Sequence, residues 1–145
     1  MRQAQRFVPF GFLFATLLFA AAPAHAEAPE AALAGGGASL TVVASQGLAQ
    51  PIDALIHRGG PLALGLAPGE ALGLMVDQQR ARIRVVYAGR PLAVRTAVFR
   101  DGRGYCLLVK RGPHGVAASV VGVGKADPQA KAGRPDARCL NKIDR

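Results

Sequence analysis

The sequence predicts an all-β domain with mainly antiparallel strands, arranged as a small β-sandwich or barrel. Short runs of β-prone residues recur roughly every ten residues, and turns rich in Gly and Pro separate them. Within residues 80–87 the first six alternate strictly between polar and apolar side chains, which is the period of a half-buried strand. Asp101–Gly102 stands between two β-prone runs and indicates a hairpin.

The N-terminal residues 1–26 have the pattern of a secretory signal peptide. Arg2 and Arg6 make a positive start, and a run without charges follows from Phe7 to Ala22. This run of about 16 residues is shorter than the roughly 20 that a membrane-spanning helix needs. Ala24–His25–Ala26 then offers the small residues that signal peptidase recognises. We therefore expect cleavage at this site, no transmembrane segment after cleavage, and a periplasmic or secreted protein.

Three further regions are expected after the signal peptide. Residues 27–37 are rich in Ala, Gly, Pro and Glu and predict a flexible lead-in. Residues 38–124 contain the β-prone runs and form the predicted β domain. Residues 125–145 are a polar C-terminal tail that Cys139 tethers. Because Cys106 and Cys139 are the only two cysteines and both are expected to be exported, we predict one disulfide between them.

The first half of the β domain leaves two assignments open. Residues 39–44 predict the first strand, and residues 62–66 predict another. Residues 51–57 begin with proline and then have helical spacing, so a helical turn and a strand both fit. Residues 67–70 predict a type II turn because Pro and Gly occupy its central positions. The short apolar run at the start of residues 72–79 is ambiguous between strand and helix.

The second half gives clearer signals. Residues 80–87 predict a strand, and a turn over residues 88–91 leads to a further strand over residues 92–100. One face of that last strand is expected to carry Leu92, Val94, Thr96 and Val98. After the predicted hairpin turn, residues 105–110 form the returning strand.

The end of the chain follows the same pattern. A turn over residues 112–115 and a final strand over residues 116–123 come next, and residues 124–138 predict a loop.

Charge favours an anionic partner. The formal net charge is +9, and it is +7 without Arg2 and Arg6. An anionic envelope component or an acidic protein surface would suit this charge. After residue 26 the only aromatic side chains are Tyr87, Phe99 and Tyr105. Sites for sugars and for single-stranded nucleic acid depend on stacking against aromatic side chains, so such a small number argues against both. Export and the lack of a nucleic-acid-binding motif also argue against nucleic acid.

Arg80, Arg82 and Arg84 form the most informative pattern. On a strand they share one face and span roughly 13 Å, while Ala81, Ile83, Val85 and Tyr87 point to the other face. With Arg95 they form the hypothesised anion-binding face, and further charge is expected from Arg103, Lys110 and Arg111. The alternative is an edge strand whose charges prevent aggregation between sheets.

Motifs for catalysis are absent from the sequence. No serine lies in a G-x-S-x-G motif, and no metal-ligand spacing occurs, so no catalytic residue, metal or cofactor is assigned. We expect an exported, non-catalytic binding or assembly module. One alternative is a small exported hydrolase or nuclease that uses His57 and His114. A further alternative is a secreted inhibitor with a disulfide-braced loop.

Overall fold

The computed structural model describes residues 37–94 and 96–143. The predicted signal peptide and, apart from Gly37, the predicted lead-in lie outside the described residues. In chain order the described strands are β1 (Ala38–Ala44), β2 (Ile52–His57), β3 (Pro61–Leu66), β4 (Ala71–Val76), β5 (Arg80–Tyr87), β6 (Arg90–Leu92), β7 (Ala97–Val98), β8 (Arg103–Gly112) and β9 (Gly115–Lys125). A 3₁₀ helix (Pro128–Ala132) and an α-helix, α1 (Ala137–Ile143), follow. The mainly β character predicted from the sequence is confirmed.

The strands form two sheets. The first sheet has the order β4–β1–β8–β9 and is mixed, because β1 and β8 run parallel with Ser39 opposite Gly104. The second sheet has the order β3–β2–β5–β6 and is antiparallel, and β7 also pairs with β5. β6 and β7 both lie on the side of β5 away from β2, so β5 has a neighbour on each side.

One hydrophobic core lies between the two sheets. The first sheet contributes Leu40 and Leu107, and the second contributes Ile52 and Ile83; each of these side chains is at least nine-tenths buried. Phe99 joins the same core, and its ring meets the ring of Tyr105 edge-on with centroids 4.9 Å apart. Such a pair adds about 0.5–1.5 kcal/mol beyond the area that it buries.

The two ambiguous regions of the first half are strands. Residues 51–57 do not form a helical turn: β2 buries Ile52, Ala54 and Ile56 and exposes the residues between them or leaves them half-buried. The proline only precedes the strand, where its missing N–H costs no ladder hydrogen bond. The apolar part of residues 72–79 is β4, which pairs antiparallel with β1.

The predicted strand over residues 92–100 is wrong as a continuous element. It divides into the end of β6 and the short β7, and Leu92 and Val94 are half-buried while Val98 is 58% exposed. The predicted face that would carry residues 92, 94, 96 and 98 therefore does not extend along the whole stretch. Ala97 lies opposite the buried Ala81, so the inward positions change from even to odd residue numbers within this stretch, and Phe99 is buried while Thr96 is exposed.

The predicted hairpin at Asp101–Gly102 is also wrong. A turn is present, with Gly102 at φ 73° and the Arg103 N–H donating to the Arg100 carbonyl oxygen at 3.1 Å. However, β7 before it pairs with β5 in the second sheet, and β8 after it pairs with β1 and β9 in the first sheet. The Asp–Gly motif predicts that the chain turns at this point, but it does not determine whether the strands before and after the turn pair with each other.

The C-terminal segment, residues 126–143, lies over the outer face of the first sheet. The Ser39 hydroxyl accepts a hydrogen bond from the Asp127 N–H at 2.9 Å, and the Thr41 hydroxyl accepts one from the Asp136 N–H at 3.0 Å. Because this segment covers its outer side, β1 is buried on both faces. The loop predicted over residues 124–138 is wrong in part, since the segment includes the 3₁₀ helix and the start of α1.

The predicted disulfide is confirmed and holds this segment to the sheet. Cys106 on β8 and Cys139 on α1 are bonded, with Cα atoms 5.5 Å apart and both residues fully buried. Asp136 precedes α1, and its carboxylate accepts hydrogen bonds from the Arg138 backbone and guanidinium. The hydrogen bond with the guanidinium holds the pKa of the Asp136 carboxyl below its usual range, against the opposing effect of burial.

Candidate functional site

The candidate site is built on the outer face of β5. Its buried side chains Ala81, Ile83 and Val85 fix the orientation of the strand, because each packs into the core. The residues between them therefore point away from the core. Arg80, Arg82 and Arg84 are exposed there, as the alternation predicts, and we call them the arginine row.

The alternative that these charges protect an edge strand is wrong. β5 pairs with β2 from residue 82 to residue 87, and on its other side it pairs with β6 and β7. An inner strand has no long row of free backbone groups that a neighbouring molecule could extend. The positive charge of the arginine row therefore needs another explanation.

The residues directly opposite the arginine row carry no negative charge. On the neighbouring strands Val98 lies opposite Arg80, His57 lies opposite Arg82 and Leu55 lies opposite Arg84. Like charges on one sheet face repel unless an acid or an anionic ligand offsets them.

One acid does lie on the same face. Asp53 is opposite Val86 on β5, which makes it a diagonal neighbour of Arg84. The ion pair between Asp136 and Arg138 lies in the C-terminal segment and involves no residue of this face. Asp77 and Asp101, the nearest acids to the row in sequence, make no ion pair with it.

A shallow hollow adjoins the C-terminal end of the arginine row. It has a volume of about 320 Å³ and lies between β2, β3 and β5. Two charged residues of opposite sign, Arg84 and Asp53, border it, together with apolar residues: Ala54, Leu55, Ala63, Leu64 and Val86. This part of the face thus offers the Arg84 guanidinium beside an apolar depression that also has the Asp53 carboxylate in its lining.

The other basic residues expected at this face lie elsewhere. Arg103, Lys110 and Arg111 belong to β8, which is in the first sheet. Arg95 lies outside the described residues. His57 also lies on this face, which the sequence did not predict. The alternation of Ile52, Ala54 and Ile56 indicates that β2 is a strand, and on a strand His57 points away from these buried residues.

His57 and His114 are not brought together. His57 ends β2 in the second sheet, and the neighbouring Arg58 guanidinium donates to the Met75 carbonyl oxygen, near the beginning of β1. His114 is in the hairpin turn between β8 and β9, beyond the end of β1. These two positions are therefore at opposite ends of the fold. The part of β8 between them, from Gly104 to Gly112, is roughly 26 Å long. The geometry gives an acid–base pair of these histidines no shared cleft.

The described residues contain neither a cluster of metal ligands nor a membrane-spanning helix. No group of three or more His, Cys, Asp or Glu is placed to hold a metal ion in the part of the chain that the structure describes. No helix within residues 37–94 and 96–143 is long and apolar enough to cross a membrane.

Comparison with known proteins found no matching family model, no matching curated protein and no matching solved structure.

Proposed function

We propose that the protein is an exported, non-catalytic binding or assembly module, a small β-sandwich whose second sheet presents a basic face to an anionic partner. The observation that supports this function is the arginine row: three exposed arginines on an inner strand, with no acid directly opposite any of them. The partner is an anionic component of the cell envelope or an acidic protein surface. Export is supported by the pattern of residues 1–26.

The affinity expected from this face is modest. Exposed ion pairs contribute a few tenths of a kcal/mol to about 1 kcal/mol each. Three contacts of about 0.5 kcal/mol amount to about 1.5 kcal/mol, which is about tenfold in the dissociation constant. Larger affinity would require contacts beyond the arginine row, for which the neighbouring hollow and Leu55 provide apolar surface.

The test replaces the arginine row without disturbing the core. The variant Arg80→Ser/Arg82→Ser/Arg84→Ser removes three charges and no buried side chain. The control variant Lys131→Ser/Arg134→Ser/Lys142→Ser removes the same charge from exposed positions off this face. Binding is measured to vesicles that contain phosphatidylglycerol, which represent an envelope surface, and to poly-L-glutamate, which represents an acidic polypeptide.

We expect the row variant to bind at least one probe about tenfold more weakly, while the control variant loses less than about threefold. Binding of the unmodified protein should weaken as salt rises past about 0.15 M, where the Debye length is near 8 Å. The probe that responds identifies the class of partner. If both variants lose affinity equally, net charge and not this face determines binding. If the row variant binds both probes like the unmodified protein at every salt concentration, the proposal is wrong.

A further inference from the structure

β9 is a long sheet edge that no described strand continues. It is the last strand of the first sheet and pairs only with β8 among the described residues. It spans Gly115–Lys125, and from Gly115 to Gly124 it contains no charged residue and no proline. Its pairing with β8 is regular from Gly115 to Gly122, before a register shift opposite Gly104 and Tyr105. Such an edge offers unpaired backbone N–H and C=O groups to another strand.

The other described edges are short or covered. The Gly73 N–H of β4 donates to the Gly133 carbonyl oxygen at 3.1 Å, so the C-terminal segment covers that edge. β3 is six residues long and begins with Pro61, which has no N–H to donate. β6 and β7 are three and two residues long. Proteins commonly protect their edges by these means, and β9 shows none of them over its regular part.

The core is incomplete beside β9. Val116, Ala118 and Val120 face the core but stay half-buried, whereas Leu107 and Val109, which lie opposite Val120 and Ala118 on β8, are fully buried. A groove of about 440 Å³ lies next to them, and we call it the β9 groove. Its lining is formed by Ala93, Val94, Thr96, Ala97, Val98, Tyr105, Ala118, Ser119, Val120 and Gly122.

We propose that β9 accepts an extended segment of a partner polypeptide as an added strand. Its backbone pairs with the outer side of β9, and every second side chain enters the β9 groove, so these side chains are apolar and small. The charges at the two ends of β9 indicate acidic flanks. Arg100 and Arg103 border a hollow together with Gly122 and Gly124 at one end, and Arg111 lies opposite Val116 at the other.

The same charges argue against a second copy of this chain as the occupant. Two β9 strands in antiparallel pairing would place Lys125 of each copy toward the Arg111 end of the other, and parallel pairing would place Lys125 beside Lys125. Either arrangement brings like charges together, which is destabilising across a pair of strands. A partner with acidic residues has no such penalty.

The probe for this edge is a fluorescein-labelled synthetic peptide of alternating valine and threonine with glutamate at both ends. A second peptide has the same sequence with N-methyl groups on alternate residues along one edge, which removes hydrogen-bond donors and keeps the charges and side chains. The protein variants are Ala118→Lys, which places a charge in the groove, and Ala117→Lys, which places the same charge on the exposed face of the same strand. Binding is followed by fluorescence anisotropy, and thermal melting checks that each variant is folded.

We expect saturable binding of the unmethylated peptide, weakened about tenfold or more by A118K and less than about twofold by A117K. Methylation on the edge that faces β9 should abolish binding to the unmodified protein, and this result does not depend on how the variants fold. Equal binding of methylated and unmethylated peptides would overturn strand addition. Absence of saturable binding up to about 1 mM would do the same. A dimer that forms without peptide and is lost in A118K would identify the occupant as a second copy and overturn the proposed partner.

Discussion

Removal of the disulfide should destabilise the protein strongly, because the bond closes a long loop around the C-terminal segment. Cys106 and Cys139 are 33 residues apart, and a loop of this length corresponds to about 3–4 kcal/mol of chain entropy in the unfolded state. Replacement by Cys106→Ala/Cys139→Ala also removes two buried sulfur atoms, which adds about 1 kcal/mol of lost packing. We therefore expect the free energy of unfolding to fall by about 4–5 kcal/mol, a large part of the 5–15 kcal/mol typical of a domain.

Urea denaturation followed by circular dichroism measures this loss. The reduced unmodified protein is the matched control, since it lacks the bond but keeps both sulfur atoms; it should lose about 3–4 kcal/mol, and the double variant about 1 kcal/mol more. A loss below about 1 kcal/mol in the reduced protein would refute the reasoning. In that case the hydrogen bonds of Ser39 and Thr41, and not the disulfide, would be what holds the C-terminal segment in place.

Two further predictions concern the same segment. Gly73→Ala should cost about 2–4 kcal/mol in urea denaturation, because its Cβ would lie 2.1 Å from the Arg134 carbonyl oxygen, whereas Gly60→Ala, with nothing within 4 Å, should change stability by less than about 0.5 kcal/mol. Asp136 has a lowered pKa in the folded state, so its stabilising contribution is present above the unfolded value of 3.8 and is lost as the pH falls through the folded value. The urea midpoint of the unmodified protein should therefore fall on acidification below about pH 4, and Asp136→Asn should flatten that part of the curve; an unchanged pH dependence would contradict the assignment.

Local features of the fold could be predicted from the sequence. The alternation of Arg80 to Tyr87 predicted both the strand and the exposure of its arginines, because a period of two has few alternatives when one face is buried. The turn at residues 112–115 was also predictable, since a two-residue loop joins β8 and β9 there. The disulfide followed from the cysteine count, because only one pairing was available.

Long-range features could not be predicted in this way. The parallel pairing of β1 with β8 joins residues more than 60 positions apart, and nothing in either segment specifies the other. The edge-strand explanation of the arginines failed for the same reason, since the neighbours of β5 come from three separate segments. Ser39 and Thr41 are buried only because the C-terminal segment folds back over them, so their role was visible only in three dimensions.

The arginine row and the β9 groove meet at Val98. This side chain is 58% exposed, lies opposite Arg80 on the second sheet and borders the β9 groove. A partner that covers both surfaces would bury the exposed Val98 side chain. Burial of this apolar side chain would add to the free energy of binding. The two proposals nevertheless depend on different chemistry. N-methylation of a peptide removes hydrogen bonds to β9 but keeps the charges that the arginine row would bind. Serine substitution of the arginine row removes its positive charges but leaves the β9 backbone intact. Failure of one would therefore leave the other standing.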